Sequence, residues 1–508
     1  MDLTSFYRFC TAKEQRLEII IVLVTALLSA TVLSILYPFP DTMADSHGYI
    51  DAAAVDTYQI YRPFGYSLFL QALNNISTRI SSVFIAQHVI HTLSILWFIL
   101  SIGFFWRKDH SNSNSSKKAG NINKTAYYLF VLFTAFTPVY WYLSNSIMSD
   151  SIFASMSILW ITCLLWAIKG YRPLIFTAAQ ALLLFAMLHT RHIAMFYPIL
   201  SIPIYIYVFK KRSLLPVLFT IAAIFIFRAQ TINNTAQLTN IKRFSSGFEG
   251  WQLANNALHI VPHINTKPSR MPTGELQYIH TLVMHSKDTI SLITEGNNIT
   301  SAFMWNNKLP LKSYMLYNMQ VNKTPYLIEW MRLGPVYSKY GSTLIKKHPY
   351  LFTKHYLLPN TWNALWVQPG IISEFENHPP LKQINIWFSD SIEQGDYKAK
   401  STVYETYSKI LPALSLAGWI LLFALGVRAL YRRIRNAPCN RNTPCKRSIY
   451  GILYSISSEP YTVFLFIFGL SYIAAIIWAS PIEARYFMPI VPVKAFFMYR
   501  WLLNVCQR

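Results

Sequence analysis

The stretch "EIIIVLVTALLSATVLSILY", residues 18–37, decides the fold class of this protein. It contains no charged residue after Glu18, and a helix of about 20 apolar residues is long enough to cross the hydrocarbon core of a bilayer. The stretch is longer than the apolar region of a signal peptide and lacks a small-residue cleavage site, so we expect an uncleaved membrane anchor.

Similar apolar stretches recur along the chain. They predict an all-α polytopic membrane protein with about ten transmembrane helices. The predicted spans are 18–37, 83–105, 126–144, 151–168, 174–190, 193–209, 213–228, 407–427, 460–479 and 486–503. Segment 449–459 leaves an alternative open, because a further crossing there would move the C-terminus to the other side of the membrane.

The composition agrees with burial in lipid. Only 13% of the 508 residues are charged and 53% are hydrophobic, whereas a soluble domain has about 25% charged residues. A net charge of +23 would indicate nucleic-acid binding in a soluble protein. In a membrane protein, an excess of positive charge can instead reflect segments that stay on one side of the membrane. Here the lysines and arginines are concentrated in segments on one predicted side, so we expect no nucleic-acid partner.

Lysine and arginine predict the orientation. With the N-terminus inside, the inner segments contain 22 of these residues. The short outer segments contain only Arg62, Arg79, Arg191 and Arg485. Positively charged segments stay in the cytoplasm, so we expect both termini to be cytoplasmic. The short loops suggest a bacterial inner membrane, with functional groups facing the periplasm; an endoplasmic reticulum membrane would keep the same topology.

The spans divide the chain into three regions. Residues 1–228 form an N-terminal transmembrane module with a first outer loop at 38–82. Residues 229–406 form a large extracytoplasmic insert of mixed or mainly helical structure, long enough for a core of its own. Residues 407–508 form C-terminal transmembrane helices.

The first outer loop is rich in carboxylates. Its sequence "PDTMADSHGYIDAAAVDTYQIYRPFGY", residues 40–66, contains Asp41, Asp45, Asp51, Asp56 and Arg62. Residues after Ser46 are expected to form a helix along the membrane surface. Asp45 then lies just outside the bilayer, where it is suited to act as a base. The simpler alternative is that Asp45 only caps the helix.

Three further outer turns contain charged or titratable residues. They are "SNSIMSDSIF" with Asp150, "LHTRHIAM" with His189, Arg191 and His192, and "SPIEARYFMPIVP" with Glu483, Arg485 and Tyr486. Helix capping is again the alternative for Asp150, and snorkelling to the interface is the alternative for Arg485. Arginines at this level suit an anionic ligand such as a lipid phosphate.

Five segments in order resemble a known family. They are "ADSHGYIDAA", "YRPFGYSLFLQAL", "IMSDSIFASMSIL", "LLLFAMLHTRHIAMFYP" and "EARYFMPIVP". The chain resembles the glycosyltransferases of the GT-C fold, and more narrowly the branch that includes protein mannosyltransferases and the bacterial aminoarabinose transferase of lipid A. The resemblance covers 18–228 and, loosely, the C-terminal spans, but not 229–406.

The resemblance implies roles for individual residues. Asp45 matches the catalytic base, Asp150 matches a second-loop acid that shapes the acceptor site, and Arg62 falls in a basic-Pro-aromatic segment. Arg191 and Arg485 fall where basic residues contact the donor phosphate. We expect further substrate contacts from Asp41, Tyr49, His189, His192, Glu483 and Tyr486.

Two features of the implied site stay open. The family often has adjacent acids in the first loop, but Ser46 follows Asp45 here, so Asp41 could be the partner or the base. We predict no cofactor, although some family members bind a metal at the second-loop acid, which leaves a divalent cation open.

The implied reaction is inverting transfer of a sugar from a polyprenyl-phosphate donor to a lipid, polysaccharide or protein acceptor on the outer face. The alternatives are a ligase or polymerase with a diphosphate-linked donor, a flippase or transporter, and an inactive scaffold. A transporter places ionisable groups near the midplane. We expect the histidines of the second span, His88 and His91, to be packing residues rather than a proton relay.

Overall fold

The structure is a computed structural model that describes most of the chain. It covers residues 3–366 apart from 38, 44, 57–61, 111–116 and 245, then 381–393, isolated positions between 409 and 424, and 460–506. The described residues are helical, and the bridge that they contain between extended segments joins Asp41 to Ser146. The predicted span 407–427, apart from those isolated positions, and segment 449–459 lie outside the described residues.

The described residues contain 8 helices long and apolar enough to cross a membrane. They are Lys13–Leu36, Ser81–Trp106, Lys124–Ser144, Ser149–Ile168, Pro173–Thr190, His192–Arg212, Leu214–Thr239 and Tyr461–Ala479. Each corresponds to a predicted span, and the chain is therefore an all-α, multi-pass membrane protein. The last predicted span, 486–503, is a 3₁₀ segment at Ala484–Ile490 followed by a helix at Val491–Cys506, and it is not one of these eight.

The helices of the membrane part are numbered in chain order. They are α1 (Leu3–Thr11), α2 (Arg16–Leu36), α3 (Ser46–Val55), α4 (Gly65–Asn74), α5 (Ser81–His110), α6 (Lys117–Ala135), α7 (Pro138–Ser144), α8 (Ser149–Ile168), α9 (Pro173–Thr190), α10 (Tyr197–Phe209) and α11 (Leu214–Thr239). Helix α8 is the most buried of the spanning helices, with 83% of its apolar window covered by protein. Its first turn is buried as well, at Ser149, Asp150 and Ser151.

The remaining helices follow α11. They are α12 (Glu249–Leu258), α13 (Gly274–His285), α14 (Lys287–Ile293), α15 (Ala302–Trp305), α16 (Pro310–Asn322), α17 (Tyr326–Lys347), α18 (Pro349–Phe352), α19 (Leu358–Leu365), α20 (Leu381–Phe388), α21 (Pro460–Ala479) and α22 (Val491–Cys506). A π-helical turn at Thr353–Leu357 separates α18 from α19.

Helix ends differ from the predicted span boundaries where local chemistry overrides hydropathy. The third predicted span breaks at Thr137 because Pro138 cannot continue the hydrogen-bond ladder of α6. Helix α11 continues to Thr239, past the predicted end at residue 228. Buried threonines in this continuation donate to carbonyls four residues earlier, as Thr231 does to Phe227 at 2.9 Å and Thr239 does to Thr235 at 2.7 Å, so their hydroxyls have acceptors within the helix.

The buried residues form two separate hydrophobic cores. One lies among the membrane helices, and the other lies in residues 248–357, which we call the inserted domain. Helices α12 and α17 pack closely in this domain, because Gly250 has no side chain to hold Gly334 away. The indole rings of Trp251 and Trp330 stack beside this contact, with centroids 3.9 Å apart.

Side-chain amides fix the inserted domain over one end of α21. Asn256 donates to the carbonyls of Trp478 and Ala479 at 3.1 and 3.2 Å. Asn360, just beyond the domain, donates to Ile477 at 2.8 Å. Carbonyls in the last turn of a helix lack helical partners, so these amides cap α21 and place the domain above the membrane module.

Candidate functional site

A cavity of about 790 Å³ lies between the membrane module and the inserted domain. Its charged lining residues are Asp45, Arg62, Asp150, Arg191, Arg228, Glu249, Glu483 and Arg485. Most of them lie in connections or at helix ends, where backbone direction changes and side chains from separate helices can meet. Acids and bases are balanced in number, and their pairing determines what the cavity can bind.

Asp45 precedes α3 and faces this cavity. Its backbone occupies the N-cap position, but its side chain makes no capping hydrogen bond. The carboxylate instead forms an ion pair with Arg62 and lies 3.9 Å from Nη1 of Arg485. With 29% of its side chain exposed, Asp45 is accessible to a ligand. A carboxylate in this position can accept a proton from a bound group.

Asp41 has a different environment. It is fully buried, and its carboxylate accepts a hydrogen bond from the Tyr142 hydroxyl. Its backbone N–H donates to Asn145 at 2.8 Å, and its carbonyl accepts from Ile147 at 2.9 Å. Asp41 does not line the cavity. It connects the first loop to the turn before α8, and this geometry favours Asp45 over Asp41 as the acid available to a substrate.

Asp150 lies in the first turn of α8 and contacts two arginines. Met148 occupies the N-cap position, and its side chain makes no capping bond. Asp150 forms an ion pair with Arg191, and its Oδ2 lies 3.6 Å from Nη1 of Arg485. Its side chain is only 3% exposed. The carboxylate therefore fixes the positions of two cations more directly than it faces a ligand.

Arg191 and Arg485 converge on Tyr486. Their guanidinium carbons lie 5.8 and 5.3 Å from the centre of the tyrosine ring, within range of a cation–π contact. Nε of Arg485 also lies 2.7 Å from Oε2 of Glu483. Burial would lower the pKa of Arg485, but Glu483 and Asp150 outweigh that effect and raise the pKa well above its ordinary value. The group stays charged.

The pKa of Arg191 moves in the same direction for the same reason. Burial alone would lower the pKa, but the neighbouring Asp150 carboxylate raises it above the ordinary value.

Tyr49 also lines the cavity. Its hydroxyl forms a hydrogen bond with the Ser149 hydroxyl at 2.8 Å, and its ring centre lies 5.3 Å from the guanidinium carbon of Arg62. Burial raises the pKa of Tyr49, so its hydroxyl remains protonated.

The two histidines that were predicted to contact substrate have different environments. His189 does not line the cavity; its Nε2 lies 2.7 Å from Oε1 of Gln230 and its Nδ1 lies 2.9 Å from the Phe185 carbonyl. It joins α9 to α11. His192 does line the cavity, and both of its ring nitrogens lack a hydrogen-bond partner among the described residues.

The cavity contains residues that the sequence analysis did not identify. Arg228 lines it with an exposed side chain and has no ion-pair partner within the described part of the chain. Its guanidinium carbon lies 4.5 Å from the ring centre of Phe244. Arg228 is the last residue of the predicted seventh span, and a charged residue at that predicted boundary was the available signal. Phe248, Gln252 and Trp305 had no comparable signal.

The carboxylates do not suit a divalent cation as they stand. Such an ion needs several oxygen ligands, but Asp45 and Asp150 are each paired with an arginine. No group of three or more His, Cys, Asp or Glu residues with metal-binding geometry occurs among the residues that the structure describes. A cation here would have to displace guanidinium groups.

The cavity therefore combines an accessible carboxylate, four guanidinium groups and a partly aromatic wall from the inserted domain. Such a site can accept a proton and stabilise an anion at the edge of the membrane module. The chain matches no protein-family model, curated protein or solved structure.

Proposed function

We propose that this chain is an inverting glycosyltransferase of the GT-C type, which moves a sugar from a polyprenyl-phosphate donor to an acceptor at the extracytoplasmic face of the membrane. One observation supports this most strongly: Asp45, Arg191 and Arg485 line a single cavity where the spanning helices end. Lipid phosphates lie at the boundary of the hydrocarbon core, which is where spanning helices end, and the proposed donor would place its tail along the apolar surfaces of these helices. The charge asymmetry of the sequence supports cytoplasmic termini and an outward-facing cavity.

Asp45 is the proposed general base. An acceptor hydroxyl or amine attacks the anomeric carbon while the bond from that carbon to the phosphate oxygen breaks. The electron pair of the broken bond goes to the phosphate, and the acceptor proton goes to the Asp45 carboxylate. A single displacement with an oxocarbenium-like transition state inverts the anomeric centre.

The arginines stabilise the leaving phosphate. Fixed cations close to the oxygen on which charge develops stabilise the transition state, so no general acid is required. Arg191 and Arg485 are held by Asp150, which makes Asp150 a positioning residue in this proposal. Arg228 has no carboxylate partner among the described residues, so its charge is the most available to the phosphate.

Replacement of Asp45 tests the proposal. Membranes with and without the protein are first compared by mass spectrometry of envelope glycans, which identifies the transferred sugar and acceptor. In proteoliposomes with that lipid-linked donor, Asp45→Asn is expected to reduce the transfer rate about 10²–10⁴-fold, because the amide cannot accept the proton.

Asp51→Asn is the matched control, because Asp51 is an exposed carboxylate on the same helix, α3, and does not line the cavity. It is expected to leave the rate unchanged. Full transfer by Asp45→Asn, or equal loss in both variants, contradicts the proposed role of Asp45.

The same assay distinguishes a lipid-monophosphate donor from the alternative, a lipid-diphosphate donor. A ligase or polymerase of this architecture would use the sugar linked to a lipid diphosphate and not the monophosphate form. A flippase would move labelled lipid without transferring its sugar. In the second span, His88 lies within hydrogen-bond distance of Ser29 and Ala26, and His91 stacks on Tyr140. These contacts support the interpretation of the two histidines as packing residues.

A further inference from the structure

The wall of the cavity that faces the membrane module comes from the inserted domain, and its character differs from the charged side. Phe248, Gln252, Ser301, Met304 and Trp305 contribute to it. Trp305 is 45% exposed, although large aromatic side chains usually lie buried. An exposed indole inside a polar cavity provides an apolar face with hydrogen-bonding groups around it.

The position of Trp305 is fixed from behind. Its ring is stacked on Trp330 at 5.5 Å and 22°, and Trp330 is stacked in turn on Trp251 at 3.9 Å. Phe248 meets the Trp305 ring edge-on at 6.0 Å. The three indoles run from the core of the inserted domain to the cavity, so the last ring is held in one orientation before any ligand arrives.

The short segment before Trp305 is also anchored. Asn255 donates to the Thr300 carbonyl at 2.9 Å, and the Thr300 N–H donates to Nε2 of His259 at 3.2 Å. Phe303 is fully buried in the domain core. These contacts tie the segment to α12, so a ligand that stacks on the indole loses little free energy to ordering of the protein.

We propose that this wall binds the acceptor, and that the acceptor is a carbohydrate with one sugar ring stacked on Trp305. The face of an indole is electron-rich, and the C–H bonds on one face of a pyranose carry partial positive charge, so the two surfaces attract. Gln252 and Ser301 line the same cavity and carry side chains that can form hydrogen bonds with ring hydroxyls. This inference rests on the proposed glycosyl transfer, and it specifies the acceptor class.

In this proposal the two opposite walls of the cavity bind different substrates. The donor phosphate requires cations, which the membrane module provides through Arg191, Arg228 and Arg485. The stacking wall has no cation among Phe248, Gln252, Ser301, Met304 and Trp305. A sugar acceptor held there would present a hydroxyl towards Asp45 across the cavity.

Direct binding tests the inference. Full-length protein in detergent is exposed, without donor, to an array of immobilised oligosaccharides containing hexoses, hexosamines and pentoses. The wild type is expected to retain a defined subset. Trp305→Ala is expected to bind that subset about tenfold more weakly, and Trp305→Phe is expected to retain part of the affinity because a smaller aromatic face remains.

Control variants make the result specific. Trp362 is 54% exposed and does not line the cavity, so Trp362→Ala is expected to bind like the wild type. Asp45→Asn is expected to bind the array while transfer is lost. Thermal unfolding of Trp305→Ala establishes whether the variant remains folded, and Trp305→Phe provides the test if it does not.

Competition by the same oligosaccharide, either free or attached to lipid in vesicles, separates a polysaccharide acceptor from a glycolipid. The inference is overturned if the wild type binds no sugar while Asp45-dependent transfer to a peptide or a sugar-free lipid occurs. It is also overturned if Trp305→Ala raises the KM for the donor and not for the acceptor. Trp305-dependent binding without any transfer would instead overturn the proposed function.

Discussion

At the scale of single residues, two aspartates four positions apart have opposite environments. Asp41 is enclosed and bonded to Tyr142, whereas Asp45 is accessible and paired with Arg62. Both belong to the same loop and the same residue type, so composition and spacing could not separate them. The difference comes from the turn before α8, which forms a bridge with Asp41 through Ser146 and leaves Asp45 at the cavity.

Arg228 provides a test at this scale. Its exposed guanidinium has no carboxylate partner among the described residues, so a bound phosphate gains from its full charge. Arg228→Gln is expected to raise the KM for the lipid-phosphate donor about 10- to 100-fold, since a charge-assisted hydrogen bond contributes about 1.5–3 kcal/mol. Initial rates over a range of donor concentration measure the change.

Arg79→Gln is the matched control for this charge. Arg79 is an exposed arginine just before α5 and does not line the cavity. An equal rise in donor KM in both variants would show that the net charge of the surface matters and that the position of Arg228 does not.

At the scale of helices, the contact between α12 and α17 depends on glycine. A Cβ atom on Gly250 would lie 1.6 Å from the carbonyl oxygen of Gly334, which no side-chain movement can relieve. Gly250→Ala is therefore expected to separate the two helices and lower the free energy of unfolding by about 3 kcal/mol or more. The Trp251–Trp330 stack lies at this contact, so the Trp305 ring would also move.

Thermal unfolding measures the loss of stability in Gly250→Ala, and Gly274→Ala is the matched control. Gly274 begins α13, and a Cβ atom there would meet nothing within 4 Å. Alanine is the better helix former by about 0.5–1 kcal/mol, so this variant is expected to be as stable as the wild type or slightly more stable. Similar losses in the two variants would contradict the packing argument.

At the scale of the whole molecule, Asn360 determines how the inserted domain meets the membrane module. Its amide donates to Ile477 and Ser480 at 2.8 Å, and its Oδ1 accepts from the Ile482 N–H at 3.0 Å. Asn360→Ala is expected to destabilise this junction by about 2–4 kcal/mol, because buried backbone groups lose their partners. The turn that carries Glu483 and Arg485 follows directly.

Hydrogen–deuterium exchange provides the measurement. The Ile482 amide and the following turn are expected to exchange faster in Asn360→Ala, and the transfer rate is expected to fall with it. Asn233→Ala, at an exposed position on α11, is the control. Unchanged exchange at Ile482 would show that the amide does not hold the turn.

The sequence alone determined that the chain crosses a membrane many times, because a run of about 20 apolar residues has few other stable environments. It also identified most of the charged residues that meet at the cavity, because charge is scarce on that side. It missed Arg228, which marked the end of a predicted span, and Trp305, which has no local signal.

Only the tertiary structure decided which of these residues meet. The long contacts that bury Asp41, pair Asp150 with Arg191 and turn His189 towards Gln230 join segments far apart in the chain. Hydropathy depends on neighbours along the sequence, whereas burial and ion pairing depend on neighbours in space. The accessible side chains of the cavity could therefore be recognised only once the helices were packed.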